Sequence, residues 1–159
     1  QAANEIIRSR KLNKFYLTLV AGEIHEAGEI TAYLTKDAEK NQVRISKREG
    51  SGARTMTKYR PLAHAKGYTL LEIQLITGKT HQIRAQFAHA GHPLLGDGKY
   101  GKLDKRFDRN YQALYSYKLR FAFTTDAGAL NNLNGKSFQV EKVDFVEDYF
   151  PGFAIPKEK

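Results

Sequence analysis

GYTLLEIQLITGKTHQIRAQFAHAGHPLLGDGKYG spans residues 67–101. Leu71, Ile73 and Leu75 alternate with Glu72 and Gln74, the period of two that a half-buried strand requires. Past Ile76 the period changes. Ile83, Phe87 and Ala90 recur at i, i+4 and i+7, which predicts a helix with those three side chains turned to the core. Thr77 or Thr80 can cap its first turn, and Gly91 can end it in the left-handed conformation. Gly96-Asp97-Gly98 then carries the residues of a tight turn. A strand thus feeds directly into a helix, and a turn-rich loop follows.

The flanking sequence builds a sheet around this unit. Residues 53–62 alternate and predict a strand ending near Pro61, joined antiparallel to 67–76 through the Ala65-Lys66-Gly67 turn. Residues 14–20 (KFYLTLV) alternate cleanly, with Phe15, Leu17 and Leu19 on one side and Tyr16, Thr18 and Val20 on the other. Shorter strands are expected at 30–34 and 42–46, followed by a basic loop at 47–54. Further on, 111–123 reads as mostly strand, 126–136 as a turn-rich hairpin and 137–143 as another alternating strand. Residues 1–13 (QAANEIIRSRKLN) resemble the tail of a basic helix already in progress. The expected class is α+β: a mainly antiparallel mixed sheet with a few packed helices, all within one domain.

Composition narrows the function. Forty-one per cent of the 159 residues are hydrophobic, enough for a folded core. Lysine and arginine number 26 against 17 acids, a net charge of +9 that favours a polyanionic partner. The absence of cysteine excludes disulfides and thiol chemistry. No apolar run is long enough to span a bilayer as a helix, and no signal peptide is visible, so the cytoplasm is the expected compartment.

Several residues in the central stretch carry chemistry, each with two readings. Lys79 beside a helix start makes an anion site, or is a surface lysine next to a well-capped helix. Arg84 lies about 100° around the helix from Ile83. Semi-buried there, it needs a carboxylate or phosphate, and a structural ion pair would also satisfy it. His81, His89 and His92 lack a carboxylate in the helix to complete a metal set, so no metal site is expected. Asp97 is either a catalytic carboxylate or, as is commoner, a turn residue. Tyr16 is either packing or a reactive phenol.

Taken together, TGKTHQIRAQFAHAGHPLLGDGKYG (77–101) resembles the signature of the RluA-like pseudouridine synthases, T-G-R-T-H-Q-I-R followed by G-H-P-I-x-G-D-x-x-Y-G. KFYLTLVAG (14–22) is similar to the family's K-x-Y-x-A-x-V-x-G strand, and ARTMTKYRPL (53–62) to its A-x-T-x-Y strand. The resemblance implies a pseudouridine synthase catalytic core acting on rRNA or tRNA, without cofactor or metal. In that family an aspartate of an H-R-L-D motif attacks the target uridine, the glycosidic bond breaks, the base rotates and a C–C bond forms. By the same resemblance Tyr16 stacks on the base and accepts a proton, and Arg84 pairs with the nucleophilic aspartate. Lys14, Lys79, Thr80 and His81 would hold RNA.

The chain departs from the pattern at three places. Lysine replaces the signature arginine at Lys79, and Leu114-Tyr115-Ser116 stands where the family often has L-H-A. No H-R-L-D occurs in residues 1–159. In the family it precedes the opening helix, so the expectation is that residues 1–159 are the C-terminal portion of a single catalytic domain and are inactive alone. A non-catalytic RNA-binding module associated with the ribosome is the alternative.

Overall fold

The structure is a computed structural model that describes residues 12–50, 52–76, 80–102, 109–122 and 132–157. Seven strands form one sheet: β1 (Leu12–Ala21), β2 (Gly28–Asp37), β3 (Gln42–Ser46), β4 (Ala53–Ala65), β5 (Tyr68–Leu75), β6 (Leu114–Phe121) and β7 (Ser137–Gln139). Two helices pack on it, α1 (Thr80–His89) and α2 (Asp144–Tyr149). The strand order is β3-β2-β4-β5-β1-β6-β7, and every pairing is antiparallel.

β1 is central and covered on both faces, as its unbroken apolar run requires. Phe15, Leu17 and Leu19 face Tyr117, Val143, Phe145 and Val146 on the side of α2. Tyr16 and Val20 face Leu71, Ile73, Ile83 and Phe87 on the side of α1. The alternation of one ten-residue strand therefore sets two cores. Past α1 the chain returns to the end of β1. Ala21 N–H donates to the Pro93 carbonyl at 2.8 Å, and Leu95 N–H to the Leu19 carbonyl at 2.8 Å. Those bonds fix the start of the loop that follows, residues 96–101. At the far edge of the sheet, β3 contacts α1 and the same loop.

The β4–β5 hairpin turns at Gly67 (φ +92°), and α1 stops before Gly91 (φ +88°), as expected from the sequence. Four expectations differ in detail. β4 runs through Pro61 to Ala65, because the proline sits where the register with β5 shifts and its missing N–H interrupts no regular ladder. Ala90 is exposed, since α1 ends at His89 and the chain leaves the sheet there. β6 begins only at Leu114. The strand expected over 137–143 stops at Gln139, and Val143 turns into the core to start α2, a six-residue helix too short to show a period of 3.6. Residues 1–11 of the helix expected in 1–13 and the tip of the 126–136 hairpin lie outside the described residues, while Leu12 and Asn13 already belong to β1, paired with β6. Among the described residues no helix is long and apolar enough to cross a membrane.

Candidate active site

The Arg84 guanidinium grips Asp97 side-on. Nε donates to Oδ2 at 2.8 Å and an NH2 proton goes to Oδ1 at 2.9 Å. The side chains are 11 % and 0 % exposed, so the pair is drawn out of water. Both residues come from the central stretch, Arg84 from the middle of α1 and Asp97 from the loop after it. Asp97 Oδ1 also accepts the backbone N–H groups of Lys99 (3.0 Å) and Tyr100 (3.1 Å). Burial pushes the Asp97 carboxyl up, but the Arg84 hydrogen bonds, the guanidinium charge and the two amides outweigh it and hold it below the usual carboxylate range. The Asp97 hydrogen bond in turn holds the Arg84 pKa above its usual value.

The expectation that Arg84 takes its partner from outside the chain is thereby corrected in part. The structural ion pair is present, with Asp97 as the acid. It does not exhaust the guanidinium. Two of five N–H donors are used, and the remaining three bond to no described residue. The signal for Asp97 was its G-D-G turn, which shows a turn but not what the carboxylate meets.

Tyr100 completes the cradle. Its ring lies 5.1 Å from the guanidinium carbon of Arg84, a cation–π distance. Its hydroxyl accepts the Val43 N–H at 3.2 Å and lies 3.3 Å from His81 Nδ1. Gln42 Nε2 donates to the Lys99 carbonyl at 3.1 Å. Edge strand β3 is thus tied to the loop that carries Asp97. His81 is exposed beside this group. Some burial, then the neighbouring positive charges of Arg84, Lys99 and Lys36, lower its pKa and keep the imidazole neutral near pH 7.

Tyr16 lies on the same side of the sheet, packed with Ile73, Leu75 and Ile83. It is 8 % exposed, and its hydroxyl bonds to no described residue. Such a ring offers little free face for a base to stack on. Burial pushes the phenol up, so it is neutral at physiological pH. Lys14 is one residue earlier on β1 and half-buried, its register partners being Leu75 and Leu119. Thr80 opens α1 through its backbone. Lys79 lies outside the described residues. Ser116, flagged as a departure from the family pattern, is the β6 register partner of Tyr16 and is exposed.

The three histidines do not converge. His89 is exposed at the end of α1, and His92 Nδ1 lies 2.8 Å from the Ala21 carbonyl. Among the described residues no group of three metal-ligating side chains could hold an ion.

The sequence model of the RNA pseudouridylate synthase family matches residues 1–89. The ribosomal large subunit pseudouridine synthase D of Borreliella burgdorferi is 32 % identical over 70 % of this chain and 34 % of its own length. The enzyme of that name from Zymomonas mobilis is 31 % identical over 84 % of the chain and 40 % of its own length. The tRNA pseudouridine synthase C of Vibrio parahaemolyticus is 31 % identical over 70 % of the chain and 52 % of its own length. The chain therefore spans about a third to a half of the curated relatives it matches. The structure called human RNA Pseudouridylate Synthase Domain Containing 1 shares the fold. Its TM-score is 0.66 at 20 % identity, over 98 % of this chain and 72 % of that one.

Proposed function

This chain belongs to the RNA pseudouridylate synthase family, and on that premise we propose that it is the C-terminal portion of a catalytic domain that isomerises uridine to pseudouridine in rRNA or tRNA. The observation that carries the proposal is the Arg84 guanidinium, held by Asp97 along one edge and with three N–H donors that bond to no described residue. An arginine with a largely buried side chain and an edge without a partner among the described residues suits a second oxyanion. In the proposed reaction that anion is the nucleophilic aspartate, which no residue of an H-R-L-D motif supplies within 1–159. Arg84 orients the aspartate and keeps it ionised.

Tyr16 brings its hydroxyl, rather than an open ring face, to the same side of the sheet. Its raised pKa means that it enters the reaction protonated. Lys14 and His81, the latter as a neutral hydrogen-bonding ring, hold RNA in this reading, and the family resemblance assigns Lys79 and Thr80 the same task. No cofactor or metal enters these steps. The cytoplasm is the compartment this function implies.

One observation favours a second reading, a non-catalytic RNA-binding module: Asp97 already neutralises Arg84 inside the chain. The two are separated by incubating an unmodified rRNA transcript with residues 1–159 and, in parallel, with the full-length protein. The expected outcome is binding by both and pseudouridine from the full-length protein only. Arg84→Ala in the full-length protein should lower the rate at least about a hundredfold. No pseudouridine from the full-length protein would select the binding module. Pseudouridine from residues 1–159 alone would overturn the assignment of the nucleophile.

A further inference from the structure

We infer that Asp97 and Tyr100 are positioning residues for Arg84, which they hold so that its open edge faces the reacting groups. This inference rests on the catalytic role proposed for Arg84. The evidence is an asymmetry in the ion pair. Both Asp97 oxygens are engaged: Oδ2 accepts one bond from Arg84, and Oδ1 accepts one from Arg84 and two from the Lys99 and Tyr100 amides. Arg84 keeps three further N–H donors that bond to no described residue. The carboxylate therefore serves the arginine.

The geometry says which edge is served. Asp97 occupies the Nε–NH2 edge, and the second NH2 proton with one NH1 proton forms the end-on fork that matches an oxyanion. A free arginine side chain loses rotamer freedom when it is fixed. Here the loss is met before substrate arrives, because the Asp97 clamp sets the plane of the guanidinium and the Tyr100 ring lies against it. Tyr100 is itself held at its far end by the Val43 amide of β3.

The test is Asp97→Asn in the full-length protein. Asparagine Oδ1 still accepts the Lys99 and Tyr100 amides, so the turn is kept, while its NH2 group confronts the Arg84 Nε–H and the two-point clamp loses that bond. Single-turnover pseudouridine formation on an unmodified rRNA transcript is measured together with RNA affinity and with hydrogen exchange at Arg84 Nε. The rate should fall about 10- to 100-fold, RNA affinity should stay within about threefold, and exchange at Arg84 Nε should accelerate. Val146→Ala, in the core on the opposite face, serves as the stability control.

A wild-type rate in folded Asp97→Asn overturns the inference. So does a loss that Val146→Ala reproduces at equal thermal destabilisation. If Arg84→Ala also reacts at the wild-type rate, the catalytic role of Arg84 itself falls. If Arg84→Ala is inactive and Asp97→Asn is not, only the positioning role falls. Should Asp97→Asn fail to fold, Tyr100→Leu and Tyr100→Phe carry the test. The leucine variant should lose rate, and the phenylalanine variant, which keeps the ring, should retain most of it. Equal rates in the two overturn the role of the ring.

Discussion

Glu72 shows how much a single buried charge depends on its neighbours. It is 7 % exposed, on the face opposite α1. Arg60 donates to Oε1 through Nε at 3.2 Å and NH2 at 3.0 Å, while Lys118 Nζ (3.3 Å) and the Tyr117 hydroxyl meet Oε2. Burial pushes this carboxyl up, but the Tyr117 hydrogen bond and the Lys118 and Arg60 charges outweigh it, and the folded-state pKa lies below the ordinary value. Asp97 shifts in the same direction. A carboxylate with a depressed folded pKa adds stability above its unfolded pKa, near 4, and that stability is lost as the pH falls through the folded value. Calorimetric melting from pH 7 to pH 2 should therefore show a steep acid limb, flatter in Glu72→Gln and in Asp97→Asn. An unchanged limb in both variants would contradict these assignments. At neutral pH Tyr117→Phe should cost about 1.5–3 kcal/mol, because it removes a hydrogen bond to a buried charge.

Among the elements, the loop 96–101 aims the site and α1 carries it. α1 is not held by hydrophobic contact alone. Gln86 and Gln82 are fully buried and bond to Thr55 and Thr57 of β4, Thr57 Oγ1 donating to Gln86 Oε1 at 2.6 Å. These bonds set the rotation of the helix about its axis, and with it the direction of Arg84. The loop begins at Gly96 with φ +80°, where a Cβ would meet the Tyr111 carbonyl oxygen. Gly96→Ala should lower stability by about 1–3 kcal/mol from backbone strain alone, with the collision adding to it, and should move Asp97 off Arg84. Urea unfolding measures the first effect and hydrogen exchange at Arg84 Nε the second. The strands and α1 were legible because each shows its own period over enough residues. α2 was not, because six residues complete fewer than two turns.

For the molecule as a whole, the +9 charge bears on RNA. If about four phosphates are engaged, log K against log salt for a single-stranded uridine-rich RNA should have a slope near −3. A slope near zero would show that the excess cations are ordinary solvated surface. Sequence alone indicated the α+β class, the β4–β5 hairpin, the alternation of β1 and the helix α1 that stops before Gly91, whereas burial of β1 on both faces came from the packing. The indicated features follow from periodicity, glycine placement and side-chain polarity within a few residues of one another. It also marked Tyr16 and Arg84 as residues out of the ordinary. The partner of Arg84 was beyond it. Asp97 lies 13 positions away, and whether it faces solvent or the guanidinium depends on the bonds that return residues 93–95 to the end of β1. The same holds for Tyr100 against β3 and for Glu72 among Arg60, Tyr117 and Lys118. These contacts join residues distant along the chain, and only the packing of sheet, helix and loop against one another decides which charges meet and which donors stay open.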